Sequence, residues 1–254
     1  MDSVDVDIPR AARDLVFRDA LSDTFVLGVV LARAGSKGVP GKNVRPLLGR
    51  PLIMYTIDEA KASQYIDRIV VSTDDEFAMQ LALESGCDVI LRPPELAQDN
   101  TPSLDALRHA VGEIETRLGR ECSIVVELRV TNPFKTVEDI DGAVEKLQIL
   151  AADSVIGMTV LEDHHPARVK KLVNGKIVDF CVPEPQHGQR RLLEPKAYIR
   201  NGSIYCVRRG SLMGPNGRLF GHENSRPWLM PPERSVNIDT EVDFILSEAL
   251  MRQR

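Results

Sequence analysis

Apolar residues fall in short unbroken blocks separated by amphipathic stretches. Phe25-Val-Leu-Gly-Val-Val-Leu-Ala32 comes first, a run of strand length that suits burial on both faces of a parallel sheet. Ile69-Val-Val-Ser72, Val89-Ile-Leu91 and Ile124-Val-Val-Glu-Leu-Arg-Val130 repeat the pattern. Between and after them lie helical patterns around Leu52 to Ala62, to about Ser85, from Ser103 to Arg117 and from about Val137 to Leu150. Thr73, with Glu76 three residues on, reads as a capping box that opens the second of these helices. Strand and helix alternate four times along this half of the chain, which predicts an α/β fold built on a doubly wound, mostly parallel sheet.

The register changes after Ser154. Val155 to Leu161 reads as a strand, and Val169 to Phe180 as a hairpin turning on Asn174-Gly175, the preferred type I′ pair. Pro183 to Pro195 is irregular, Ser203 to Arg208 is a further strand, and a last helix starts near Thr240. The expected organisation is a polar extension over residues 1–23, helix-compatible from Pro9 to Leu21, and one domain over 24–254. That domain carries an antiparallel arm at about 155–210.

Composition narrows the function classes. With 254 residues and 43% apolar content, the chain can bury a substantial core. No apolar run approaches the ~18 residues of a membrane span. Asp2, Asp5 and Asp7 at the N-terminus, with no apolar core after them, do not make a secretory signal, so a cytoplasmic location is expected. Cys87, Cys122, Cys181 and Cys206 lie far apart with no C-x-x-C pair, the pattern of reduced thiols and not of a zinc site. A net charge of −5 argues against nucleic acid as a partner. Yet no acid occurs between Asp23 and Asp58, where Arg33, Lys37, Lys42, Arg45 and Arg50 all fall. A cationic segment in an acidic chain predicts a small, highly charged anion as ligand.

The chemistry concentrates in Leu31-Ala-Arg-Ala-Gly-Ser-Lys-Gly-Val-Pro-Gly-Lys-Asn43, directly after the first strand. Ligands of open α/β sheets bind beyond the carboxyl ends of the strands. Glycines let the backbone approach a ligand and turn its N–H groups onto phosphate oxygens. The segment is not a P-loop, because five residues separate Gly35 from Gly41 and Asn43 stands in place of the hydroxyl. It is not a dinucleotide loop either, since its glycines recur every third position.

The pattern A-R-x-G-S-K-G-x-P-x-K-N resembles the signature of the cytidylyltransferases that activate sialic acid and related nonulosonic acids. Arg68-Ile-Val-Val-Ser-Thr-Asp74, Leu91-Arg-Pro-Pro-Glu-Leu-Ala97, Thr131-Asn-Pro133, Asn201-Gly-Ser-Ile-Tyr205 and Ile238-Asp-Thr-Glu241 continue the likeness in order. The resemblance implies the sugar nucleotidyltransferase fold and a reaction in which CTP and an acidic nine-carbon sugar give a CMP-sugar and pyrophosphate. It implies that Arg33 and Lys42 neutralise the triphosphate, and that Ser36, Asn43, Arg92 and Ser103 surround the nucleotide with the backbone of Leu31 and Ala32. It further implies Mg2+ as cofactor at Asp239 and Asn237, and Arg129, Thr131, Asn132, Arg168, Arg191, Asn201 and Tyr205 around the sugar. Relatives are homodimers with exchanged arms, so a homodimer is expected here, with neither nucleic acid nor membrane as partner.

The chain departs from that family pattern at Asn237, where Asp is usual, at Arg129, where Gln is usual, and at Arg200, where Pro is usual. All three departures concern the metal or the sugar, and none touches the nucleotide loop. Three readings therefore stay open: a nonulosonic acid as acceptor, another acceptor such as 3-deoxy-octulosonate or a sugar phosphate, or a nucleotide-binding protein that has lost catalysis. Ser103 could also simply cap the helix it precedes, and Asp239 or Thr240 could cap the last helix.

Overall fold

A computed structural model describes residues 24–161, 164–186, 189 and 193–253. The N-terminal extension, including the stretch Pro9 to Leu21, lies outside the described residues, as does Arg191.

The apolar runs form the expected strands: β1 (Val26–Leu31), β4 (Arg68–Thr73), β5 (Asp88–Leu91) and β6 (Ile124–Leu128). A small ribbon of β2 (Pro46–Leu47) and β3 (Arg50–Pro51) lies between the first two. Helices α1 (Leu52–Ala62), α2 (Glu76–Glu84), α3 (Ser103–Leu118) and α4 (Val137–Ile149) alternate with them. The second half supplies β7 (Ser154–Val160), the hairpin β8 (Lys170–Val173) and β9 (Lys176–Asp179), β10 (Tyr198–Arg208), the short α5 (Arg209–Met213), β11 (Ser225–Leu229) and α6 (Glu241–Met251). The main sheet has seven strands in the order β11-β7-β10-β6-β1-β4-β5. Within it β10 alone runs antiparallel to its neighbours.

Burial explains the arrangement. Leu27, Val29, Val70 and Val125 face α3 and α5 through Leu107, Val111, Ile114 and Leu212. Val26, Val30, Val71 and Val126 face the other way, onto a layer with Leu52, Ile57, Val144 and Phe244. Alternate residues of one apolar run thus fill two separate cores, which is why these strands read as continuous and not as alternating. Because β4 lies on one side of β1 and β6 on the other, the chain reverses its winding there and leaves a crevice at the strands' carboxyl ends.

Four details differ from expectation. Asp75, not Thr73, caps α2, accepting hydrogen bonds from the N–H groups of Phe77 and Ala78. The Thr73 hydroxyl is held inside the sheet, where it donates to the Ala32 carbonyl at 2.6 Å. Within the stretch 155–210, β7 and β10 belong to the main sheet, and only the β8–β9 hairpin forms a sheet of its own. β10 begins at Tyr198 because a kink at Asn201-Gly202 shifts its register against β7 and lets it continue. β11 was not predicted; Pro227 within it suits a strand at the sheet edge.

Cys87, Cys122 and Cys206 are buried free thiols, and burial pushes each above the ordinary thiol value. No helix among the described residues is long and apolar enough to cross a membrane.

Candidate active site

A cleft of about 490 Å³ opens at the carboxyl ends of β1, β5 and β6. One wall is the loop after β1. Its Ala34 N–H donates to Asp74 Oδ1 at 2.8 Å, and Asn43 Nδ2 donates to the Arg33 carbonyl at 2.9 Å, so the two ends of the turn are pinned. Lys42 crosses the cleft to donate to the Ile238 carbonyl at 2.7 Å and to Asp239 at 3.0 Å. Arg33 and Lys37 both reach Asp99, at 3.0 and 2.7 Å, and Arg33 also donates to the Gln98 carbonyl. A Cβ on Gly38 would stand 2.0 Å from the Asp239 carbonyl oxygen, so this glycine is what lets the loop close on the opposite wall.

Arg92, at the end of β5, is buried and donates to the Ser72 carbonyl at 2.8 Å. Desolvation lowers its pKa, and the nearby Asp74 opposes that shift. Ser103 opens α3 without capping it; Pro102 holds the cap position, and the Ser103 hydroxyl meets Arg129 Nη2 at 3.4 Å. Thr240 takes the cap of α6, with Asp243 completing a capping box. Asp239 is therefore left outside the cap with its carboxylate largely exposed.

Leu31, Arg33, Ser36, Lys42, Asn43, Arg92, Ser103, Arg129, Thr131, Asn237 and Asp239 all line this one cleft, so most of the residues picked from sequence converge. Others lie behind it. Ala32 is wholly buried, its N–H bonded to the Ser72 carbonyl. Asn132 donates to the Arg234 and Val236 carbonyls, and Asn201 donates to Ser235 Oγ while accepting from the Ser203 N–H. These two amides brace the segment that carries Asn237, and neither lines the cleft. Gly202, at φ +61, lies so close to Asn237 that a Cβ would fall 2.8 Å from its amide nitrogen. Tyr205 is buried, with the Arg129 guanidinium 4.7 Å from its ring centre. Arg168 lies on the hairpin side of the molecule, near Glu184 and away from the cleft. Arg200, the third departure, covers the Phe220 ring at 3.7 Å.

Two carboxylates in the cleft were not singled out from sequence. Asp99, the counter-ion of the loop, follows a turn with no distinguishing pattern. Glu127 did leave a signal, a charge inside the apolar run of β6. It is 1% exposed; Oε1 accepts from Arg129 Nε at 3.2 Å, whereas Oε2 has no hydrogen-bond partner among the described residues. Desolvation raises its pKa, while Arg129 and then Arg92 pull it back.

No group of three or more His, Cys, Asp or Glu among the described residues could hold a metal by itself. His165 caps its own short turn, accepting from the Ala167 N–H. At the cleft, Asp239 and Asn237 offer one carboxylate and one amide oxygen.

An open α/β sheet with a cationic glycine loop at its switch point places the chain among α/β proteins shaped to receive an anionic ligand. The sequence model of the cytidylyltransferase family matches residues 27–175, and the chain belongs to that family. It is 31% identical over 219 residues to an N-acylneuraminate cytidylyltransferase of Streptococcus agalactiae, covering 85% of this chain and 51% of that protein. It is 30% identical to the CMP-N,N'-diacetyllegionaminic acid synthase of Legionella pneumophila, covering 89% of this chain and 96% of that one. The chain thus spans about half the length of the first of these relatives and nearly all of the second. A CMP:2-keto-3-deoxy-manno-octonic acid synthetase solved with CTP superposes with a TM-score of 0.66 at 20% identity, covering 91% of this chain and 99% of that one. That likeness establishes the fold.

The loop after β6 is held from beneath by Lys135, fully buried, whose ammonium donates to Thr56 Oγ1 at 3.1 Å, to the Arg129 carbonyl at 2.8 Å and to the Asn132 carbonyl. Desolvation pushes it from the ordinary 10.5 down to about 7, against the pull of Glu59 and Asp139. Between those two values the unfolded chain binds a proton that the folded chain has released, so stability rises with pH across this window. The slope limit is about 1.4 kcal/mol per pH unit. Urea denaturation from about pH 7 to about pH 9 should show this rise in the wild type and lose it in Lys135→Met. Parallel profiles for the two proteins contradict the assignment.

Proposed function

We propose that the protein transfers CMP from CTP to an acidic nine-carbon, sialic-acid-like sugar, releasing pyrophosphate. The observation that carries this reading is the convergence of Arg33, Lys37 and Lys42 on one wall of the cleft at the end of the central strand. The names of the relatives support cytidine as the base and a nonulosonic acid as the acceptor.

The anomeric hydroxyl oxygen of the sugar forms a bond to the α-phosphorus, and the bond from that phosphorus to the bridging oxygen breaks. Pyrophosphate leaves with the electron pair, and the proton of the attacking hydroxyl passes to solvent. Such transfers need positioning and charge neutralisation more than covalent help. Arg33 and Lys42 neutralise the triphosphate and the departing pyrophosphate. Arg92, Ser103 and Asn43 orient the nucleoside, with Leu31 and Ala32 beneath it and Ser36 on the phosphate loop. Asp239 with Asn237 offers a carboxylate and an amide oxygen that would hold a hard dication such as Mg2+. When bound, it supplies further neutralisation of phosphate charge. Thr131 and Arg129 line the acceptor side of the cleft. Asn132, Asn201 and Tyr205 shape that side from behind. A cytoplasmic location is part of the proposal.

A homodimer is part of the proposal. Leu172 and Ile177, paired across the hairpin, are 77% and 73% exposed, and Phe180, Tyr198 and Ile199 are exposed as well. Exposed apolar side chains of this kind suit a subunit contact, through which Arg168 would approach the partner's cleft. Sedimentation should give a dimer at micromolar concentration, and Leu172→Asp with Ile177→Asp should give a monomer. A wild type that sediments as a monomer contradicts it.

The reaction is tested by pyrophosphate release from each nucleoside triphosphate with a panel of acidic sugars. Release should require CTP, one nonulosonic acid and Mg2+, and should stop with a chelator. Lys42→Ala should retain the fold and lose about 10²–10³ in kcat. Preference for a phosphorylated acceptor would favour a different transferase of this fold. CTP binding with no release across the panel would mean that catalysis has lapsed.

A further inference from the structure

A carboxylate oxygen that is buried, lacks a hydrogen-bond partner and faces a ligand cleft is costly unless something donates to it. Glu127 Oε2 is buried and has no hydrogen-bond partner among the described residues, and Glu127 is one of the residues that line the cleft. Its partner oxygen is occupied by Arg129, and the guanidinium is itself fixed by the Tyr205 ring and by Ser103. The side chain therefore has one oxygen anchored and one without a partner, on a residue that lines the cavity.

The layout of the sheet tells which substrate meets it. The phosphate loop follows β1, and Arg92 follows β5, beyond β1 and β4 in the strand order. Glu127 stands on β6, on the opposite side of β1, paired in register with Tyr205 of β10. Charge gives the same division: Arg33, Lys37, Lys42 and Arg92 suit the polyanionic nucleotide, and a carboxylate pointed at its phosphates would repel them. Glu127 also neutralises Arg129, so this pair presents a donor-seeking oxygen and not a net positive charge.

We infer that Glu127 is a specificity-determining residue that accepts a hydrogen bond from a hydroxyl, amide N–H or ammonium of the acceptor sugar. This rests on the reading of the cleft as a site for CTP and a sugar. It assigns Arg129 mainly to holding Glu127, and it selects against acceptors that place a carboxylate or an apolar group at this point. A site built to bond a polar group discriminates strongly because the buried acceptor is otherwise unsatisfied.

The test is steady-state kinetics on wild type and Glu127→Gln, varying the acceptor at saturating CTP, with calorimetry of CTP binding and a thermal melt of each protein. The KM for the acceptor should rise about tenfold or more, while CTP affinity stays within about twofold and the melting point is not lowered in proportion. If the single variant does not fold, Glu127→Gln with Arg129→Gln removes both charges together. Its acceptor KM should then exceed that of Arg129→Gln alone. An unchanged acceptor KM, or an equal loss of CTP affinity, overturns the inference while leaving the functional reading standing. A wild type that releases no pyrophosphate with any acceptor overturns the functional reading, and this inference with it.

Discussion

The structure depends on holding concentrated positive charge next to the end of a buried strand. Arg33, Lys37 and Lys42 cannot lie close together on a turn without acids opposite, and Asp99 and Asp239 supply them. These pairs are partly exposed, and such pairs contribute about 1 kcal/mol or less. They are strong enough to order the loop and weak enough to yield to a polyanion, which carries more charge than either aspartate. On the proposed function, the cleft is thereby preorganised for a triphosphate without being closed to it.

The rest of the fold serves to bring the two walls within reach. The Ile238–Asp239 wall has no sheet to support it, and side chains from elsewhere fix it. Asn132 holds the carbonyls of Arg234 and Val236, Arg234 is bonded to the buried Asp139 at the start of α4, and Arg45 reaches Glu241 while covering the Phe244 ring. The kink at Asn201-Gly202 then clears space for Asn237. Several polar motifs of the sequence thus act as braces for cleft-lining residues and do not line the cleft themselves.

This separates what could be read from the chain from what could not. Strands buried on both faces announce themselves as continuous apolar runs, so the parallel half of the sheet and its helices were legible. The loop after β1 was legible because its glycines and cations sit on consecutive residues. By contrast, β11 carries Pro227 and polar neighbours, and its pairing with β7 is set by packing of Trp228 against Gly142, a contact between distant segments. Asn132, Asn201 and Tyr205 carry polar groups that suit a ligand equally well, and only three-dimensional packing shows them turned inward. Asp99 has meaning only once the loop is placed beside it. Glu127 was visible as a charge in an apolar strand, a local conflict that marks a functional position more often than an error of folding.

The central claim is that this loop grips the triphosphate tail and not merely the nucleoside. It is tested most directly by calorimetric binding of CTP and CMP to the wild type under identical salt and Mg2+. The account predicts CTP tighter by about a hundredfold, since two further phosphates meet Arg33, Lys37 and Lys42. Equal affinity for the two nucleotides would contradict it.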